Sequence, residues 1–174
     1  MSHILSDGAG GPPACPLSCL FYHTFPPEKT QNRVSIMQTV FSPIQVGSLP
    51  LKNRIARSAT HDNMGGSRGQ ITPAEAALYD TLARGDVGLL FSAHAYVMEA
   101  GKASPTQNGL DTDANLPILG RIAQSVHKQG AKMVMQLNHA GAKAVASAPL
   151  GPDGMTAQDL DALRRAFTAA ALRI

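Results

Sequence analysis

The chain has 174 residues, of which 44% are hydrophobic and 16% charged, and its formal net charge is +3. This length and composition predict one globular domain with a sizeable core and exclude a wholly disordered chain. The basic residues are scattered singly and no apolar run approaches about 18 residues, which argues against a nucleic-acid-binding surface and against a membrane span.

Residues 1–36 are rich in Gly and Pro and show no helix or strand period. The sequence predicts a disordered arm here, or a mis-assigned start with translation beginning at Met37. The only cysteines, Cys15 and Cys19, lie in this arm, with His23 four residues after the second. Because a structural zinc site needs four ligands, we expect reduced thiols in a reducing, cytoplasmic compartment rather than a metal site.

The first strand and helix of the globular part are predicted between residues 54 and 85. A strand at residues 54–60 follows a turn at residues 47–53, which would cover the bottom of a barrel. The helix begins at the capping-box pattern Thr72–Glu75 and should end near Gly85. A nearly unbroken apolar run at residues 87–92 then predicts a second strand that is buried on both faces.

A connection of about twenty residues follows, rich in Gly, Ser, Thr, Pro and Asn, and this length is a mild indication of function. A second helix is predicted from near Asn115 to Gly130, with these residues on one face: Ile118, Ile122 and Val126. The third strand is predicted at residues 132–137. A third helix is capped by Thr156 and Asp159, and its apolar stripe consists of Leu160, Leu163 and Phe167.

This alternation of strands and helices predicts an α/β fold with parallel strands. It does not by itself distinguish a barrel from a doubly wound sheet. No Gly-x-Gly-x-x-Gly or Walker-type loop follows any predicted strand, which removes the main support for a dinucleotide-binding fold.

Polar side chains stand where each of the three predicted strands ends. His61 follows the first strand, His94 the second, and Gln136 and His139 end the third. Because ligands bind at the carboxyl ends of parallel barrel strands, these residues predict a shared binding mouth. The amide of Gln136 suits a planar heterocycle with adjacent N–H and C=O groups, although a glutamine that bonds loop backbone is the commoner case. A metal site built from the three histidines is conceivable, but no short ligand motif supports it.

Three segments, at residues 41–60, 87–97 and 136–141, share their order and spacing with one known family. They resemble the opening of old yellow enzyme-type NADH:flavin oxidoreductases, and the resemblance covers about residues 38–174. That family folds as a (β/α)8 TIM barrel with FMN at the carboxyl ends of its strands. It passes hydride from NAD(P)H through FMN to a small-molecule electron acceptor, such as an activated alkene.

The resemblance also implies which residues contact the cofactor. They are Ser58, Ala59, Thr60, His61, Ala93, His94 and Gln136. His61 would lie near the flavin carbonyl and N5 edge, and Gln136 would hydrogen-bond the pyrimidine edge. The resemblance assigns no catalytic residue, because the substrate-binding His pair of the family has no counterpart in this chain.

Only three strand–helix units are present, so the prediction is an incomplete (β/α)8 TIM barrel, with residues 37–174 as its N-terminal part. As a truncated front portion without the phosphate-gripping loops of the last strands, the chain should bind FMN weakly or not at all. Its open sheet edges should cause self-association. The alternative interpretation is a non-catalytic truncated remnant or an interaction module.

Overall fold

The computed structural model describes residues 39–145 and 149–174, all of which belong to the unit Gln38–Ile174. The arm predicted at residues 1–36, with its Cys15, Cys19 and His23, lies outside the described residues. In chain order the elements are β1 (Ile44–Val46), β2 (Leu49–Leu51), β3 (Ala56–Arg57), α1 (Pro73–Arg84), β4 (Leu89–Tyr96), β5 (Asn108–Gly109), α2 (Leu116–Lys128), β6 (Lys132–Asn138) and α3 (Ala157–Arg173).

The main sheet is parallel and is centred on β4. Along one edge, β4 pairs with β6, from Leu89 opposite Lys132 to Tyr96 opposite Asn138. Along the other edge, β3 pairs near the start of β4 and β5 pairs near its end. The predicted α/β class with parallel strands is therefore confirmed.

The helices α1 and α2 pack on the same face of this sheet. Tyr79 of α1, Val126 of α2 and Leu90 of β4 belong to one buried core. Alternate residues of β6 pack against that core, whereas Val134, on the opposite face, is 37% exposed. A doubly wound sheet carries helices on both faces, so one-sided covering in the described residues favours the barrel arrangement, in which the other face turns inward.

The predicted strand boundaries were wrong in two places. The first strand was expected at residues 54–60, but only Ala56–Arg57 pair with β4. The second strand was expected to end at Ser92, but β4 continues to Tyr96, because its last residues pair with β5 on one edge and β6 on the other. The pairing of β4 with β6 is irregular between Phe91 and His94.

Both predicted threonine caps are present, although one capping box is only half formed. At α1, the backbone N–H of Glu75 donates to Thr72 Oγ1 at 3.3 Å, but the Glu75 carboxyl group bonds to other residues. At α3, Asp159 and Thr156 form the complete reciprocal box. The apolar stripe of α3 was partly wrong, since Leu160 is 48% exposed; the packing residues are Leu163, Ala166, Phe167 and Ala170.

The β1–β2 hairpin leads into residues that fasten the amino end of the sheet. Asn53 Nδ2 donates to the carbonyl oxygen of Asp86 at 2.6 Å, just before β4. Lys52 Nζ donates to the carbonyl oxygen of Gln129 at 3.0 Å, just before β6, and pairs with the Asp86 carboxylate at 2.7 Å. This end lies opposite the carboxyl ends of the strands, as expected, but the turn predicted at residues 47–53 was partly wrong, because residues 49–51 form β2.

Candidate functional site

The carboxyl end of the sheet brings together residues from three strands. Ser58, Ala59 and Thr60 directly follow β3, and His61 comes next. The imidazole rings of His61 and His94 meet edge to face, with centroids 4.7 Å apart. In the sheet, His94 stands opposite Gln136 of β6. These three side chains therefore share one rim, which we call the carboxyl-end rim.

The sequence predicted that Ala93 and His94 follow the second strand. In the structure both residues belong to β4 itself. Ala93 is 4% exposed, and its backbone N–H donates to the Tyr79 hydroxyl at 2.8 Å. This bond ties the irregular part of β4 to α1. Ala93 is thus buried behind the rim, while His94 is half-buried at the rim.

Gln136 belongs to the face of the sheet that the helices leave open. Its neighbours along β6, Met135 and Leu137, pack against the helix-covered core, whereas Gln136 and Val134 are exposed. The backbone N–H of Gln136 donates to Ser92 Oγ at 3.0 Å, which fixes the strand beside the irregularity in β4. Val134 and Gln136 therefore share the open face, as the alternation of side chains along a strand requires.

Both rim histidines have a partner in the turn Ala103–Gln107. Ser104 Oγ lies 2.9 Å from His61 Nε2, and Gln107 Nε2 lies 2.6 Å from His94 Nδ1. Burial lowers the pKa of His94, and the nearby His61 ring lowers it further. Sequence reasoning missed Ser104 and Gln107, because they lie in the long polar connection and their partners are far away along the chain.

His139 lies apart from this pair, against the short turn at residues 99–101. A Cβ atom at Gly101 would overlap the His139 ring, so the two segments are in close contact. Burial lowers the pKa of His139. Within residues 39–145 and 149–174, no group of three or more His, Cys, Asp or Glu side chains is placed to hold a metal ion. The hypothesis of a metal site formed by His61, His94 and His139 is therefore not supported.

A buried carboxyl group lies behind the rim. Glu75, in the first turn of α1, is 1% exposed and accepts a hydrogen bond from Asn108 Nδ2 at 2.6 Å. Burial raises the pKa of Glu75 to about 7, and the negative charge of Asp62 adds to this shift. The same group contacts the hydroxyl of Tyr79, which holds Ala93. Glu75 is thus linked through one tyrosine to the irregular part of β4.

The described residues form a unit of the β/α-barrel class. This class is defined by parallel strands, helices on one face of the sheet and a polar rim at the carboxyl ends of the strands. The family comparison makes the assignment specific. The chain belongs to the NADH:flavin oxidoreductase / NADH oxidase family, whose model matches residues 39–173.

Individual relatives agree with this assignment. An NADPH dehydrogenase of Halalkalibacterium halodurans is 31% identical over 147 residues, which cover 77% of this chain and 44% of that protein. An NADPH dehydrogenase of Bacillus subtilis is 32% identical over 110 residues, covering 60% of this chain and 31% of that protein. The chain therefore spans less than half the length of these relatives.

Solved structures show the same fold. An old yellow enzyme from Pichia sp. AKU4542 superposes with a TM-score of 0.70 at 20% identity, covering 79% of this chain and 42% of that one. A 2-naphthoyl-CoA reductase complex gives a TM-score of 0.72 at 24% identity, covering 77% of this chain and 25% of that one. In the described parts of the present chain, no helix has both the length and the apolar character needed to cross a membrane.

Proposed function

We propose that this chain forms the flavin-binding front part of an FMN-dependent NAD(P)H oxidoreductase that acts on a small-molecule electron acceptor. The observation that supports this most directly is the carboxyl-end rim, where the rings of His61 and His94 are in contact and Gln136 stands opposite His94 in the neighbouring strand. Bound FMN would supply the redox chemistry, accepting hydride from NAD(P)H and delivering it to the acceptor. The role of the chain is to hold and orient the flavin ring.

The rim residues suit the polar edge of an isoalloxazine ring. That edge presents an N–H group between two carbonyl groups, and the amide of Gln136 offers both donors and an acceptor. Gln136 is exposed on the open face of the sheet, so its amide is accessible to a ligand. The backbone of Ser58–Thr60 borders the same rim, next to His61. All of these groups would contact the ring rather than the phosphate of FMN.

We expect FMN to bind weakly but at this rim, and we expect Gln136→Leu to lower the affinity about tenfold, since one or two hydrogen bonds to the ring would be lost. The measurement is a titration of the ¹⁵N-labelled chain with FMN, followed through its backbone amide resonances. The amides that shift should be those of residues 58–61, 92–94 and 136. Gln124→Leu, at an exposed position on α2, is the matched control and should leave the affinity unchanged.

Ribose 5-phosphate serves as a second ligand in this experiment, because it carries the phosphate group without the ring. It should not produce the same shifts. Shifts confined to the cavity of about 290 Å³ between α2, β6 and the end of α3 would contradict the proposal. A complete lack of shifts with FMN would instead favour the non-catalytic remnant or interaction module.

We also propose that the chain self-associates through its sheet. Among the described residues, β6 has β4 as its only strand neighbour, and Val134 on β6 is exposed. An unpaired edge of this kind pairs readily with another chain. We expect sedimentation velocity to show oligomers that increase with protein concentration, and Val134→Lys to reduce them. Leu172→Lys, on an 83% exposed residue of α3, is the control. A monomer at every concentration would contradict this proposal.

A further inference from the structure

The orientation of the Gln107 side-chain amide is determined by its neighbours. Gln107 is 2% exposed, and its Oε1 accepts a hydrogen bond from the backbone N–H of Ala103 at 2.5 Å. A backbone N–H group can only donate, so the atom that faces it must be the amide oxygen. The NH₂ group of Gln107 must therefore point the other way, towards His94.

This orientation determines the protonation of the His94 ring. Gln107 Nε2 lies 2.6 Å from His94 Nδ1, and it also bonds to Asn138 Oδ1 at 3.1 Å. An amide nitrogen can only donate, so Nδ1 must accept and cannot carry a proton. A ring with an unprotonated Nδ1 is neutral, and its single proton is on Nε2.

The surroundings of the ring favour the same neutral form. Burial is the largest cause that lowers the pKa of His94, and the ring of His61 is the second. The amide of Asn138 and the carboxylate of Asp62 act in the opposite direction but are weaker. The segment after β3 thus brings two titratable groups to the ring, His61 and Asp62, while β6 and the turn at residues 103–107 bring the neutral amides of Asn138 and Gln107.

We infer that Gln107 is a positioning residue that fixes His94 as a neutral Nε2–H donor, and that this donor binds an acceptor atom of the ligand at the carboxyl-end rim. The acceptor would be a carbonyl oxygen or an unprotonated ring nitrogen. The protonation of His94 follows from the chain alone, whereas the identity of the acceptor rests on the proposed function. The flavin edge and the carbonyl group of an electron acceptor share the required chemistry.

The protonation can be measured without any ligand. In a two-bond ¹H–¹⁵N correlation spectrum of the histidine-labelled chain, the Nε2–H form, the Nδ1–H form and the imidazolium give different patterns. We expect the Nε2–H pattern for His94 at pH 7 and a pKa below the ordinary histidine value of about 6.5. Either of the other two patterns at pH 7 would overturn the inference, and this result needs no variant.

Gln107→Glu tests the positioning role. The substituted side chain can still accept from Ala103 N–H, but its second oxygen can only accept, so His94 Nδ1 must take up a proton. We expect the pKa of His94 to rise above about 6.5 and its Nε2–H pattern at pH 7 to disappear. Gln124→Glu, with the same charge change at an exposed position on α2, should leave the spectrum unchanged. An unaltered His94 in Gln107→Glu would rule out the positioning role.

The source of the acceptor atom is found by adding FMN alone and then FMN with cyclohex-2-enone. A shift of the His94 Nε2 resonance with FMN alone assigns the acceptor to the flavin, and a shift only after the ketone is added assigns it to the electron acceptor. If the amides of residues 58–61 and 136 respond while His94 Nε2 never shifts, the donor role is wrong but the proposed function stands. If no amide responds to FMN, the proposed function fails, and the protonation of His94 is still decided by the ligand-free spectrum.

Discussion

Asn115→Ala is expected to lower the free energy of unfolding by about 3–5 kcal/mol, because three hydrogen bonds to buried backbone groups are lost at once. Asn115 is 6% exposed. Its Oδ1 accepts from the backbone N–H of Ile71 at 3.0 Å, and its Nδ2 donates to the carbonyl oxygens of Gly69 at 2.7 Å and Gly109 at 2.8 Å. One side chain thus joins the segment before α1 to β5 and to the start of α2.

Urea unfolding followed by circular dichroism measures this loss. Thr112→Ala is the control, since Thr112 is exposed, lies three residues before Asn115 and makes no side-chain capping bond. The control should change stability by no more than about 0.5 kcal/mol. If Asn115→Ala remained within about 1 kcal/mol of the unaltered chain, the three hydrogen bonds could not be holding these segments together.

Glu75→Gln is expected to remove a large part of the pH dependence of stability. The pKa of Glu75 is raised from 4.5 to about 7 in the folded chain, first by burial and then by the charge of Asp62. Between these pH values the folded chain binds more protons than the unfolded chain, so stability falls as the pH rises. The contribution of Glu75 is fully present below pH 4.5 and is lost as the pH rises through about 7, which amounts to about 3 kcal/mol.

The neutral amide of the variant avoids this loss. We therefore expect Glu75→Gln to be more stable than the unaltered chain above about pH 8, by as much as about 3 kcal/mol, with a smaller difference at pH 5. Urea unfolding at several pH values from 5 to 9 tests this. Asp153→Asn, which replaces a carboxylate by an amide at an exposed position, should keep the original slope. The expectation is wrong if the difference in free energy of unfolding between the variant and the unaltered chain is no larger at pH 8 than at pH 5. Ionisation of Glu75 would then cost the folded chain little.

Local signals in the sequence were sufficient for the three helices and for their alternation with β3, β4 and β6, but not for the short strands β1, β2 and β5. Thr72 and Thr156 were recognisable as caps, because the side chain and the backbone group that it satisfies are three residues apart. The extent of β4 could not be recognised in the same way. Its last residues are strand because they pair with residues 108–109 and 137–138, and no local pattern records pairing across such distances.

The same distinction holds for the carboxyl-end rim. His61, His94 and Gln136 could be selected from their positions near the ends of predicted strands. Gln107 could not, because its amide acts on a histidine 13 residues earlier, in another element. Glu75 was predicted to complete a capping box, but its carboxyl group bonds to Asn108, 33 residues later. Contacts of this kind exist only once the chain has folded.

The turn Ala103–Gln107 carries the partners of both rim histidines, Ser104 for His61 and Gln107 for His94. Inserting or deleting a single residue in this turn would displace both partners together. We therefore expect that, among homologous chains, positions 61, 94, 104 and 107 change together rather than one at a time. These joint changes should accompany changes in the length of the turn. Exchanging the whole turn between two such chains, together with its pair of histidines, should accordingly transfer the arrangement intact, whereas exchanging either part alone should not.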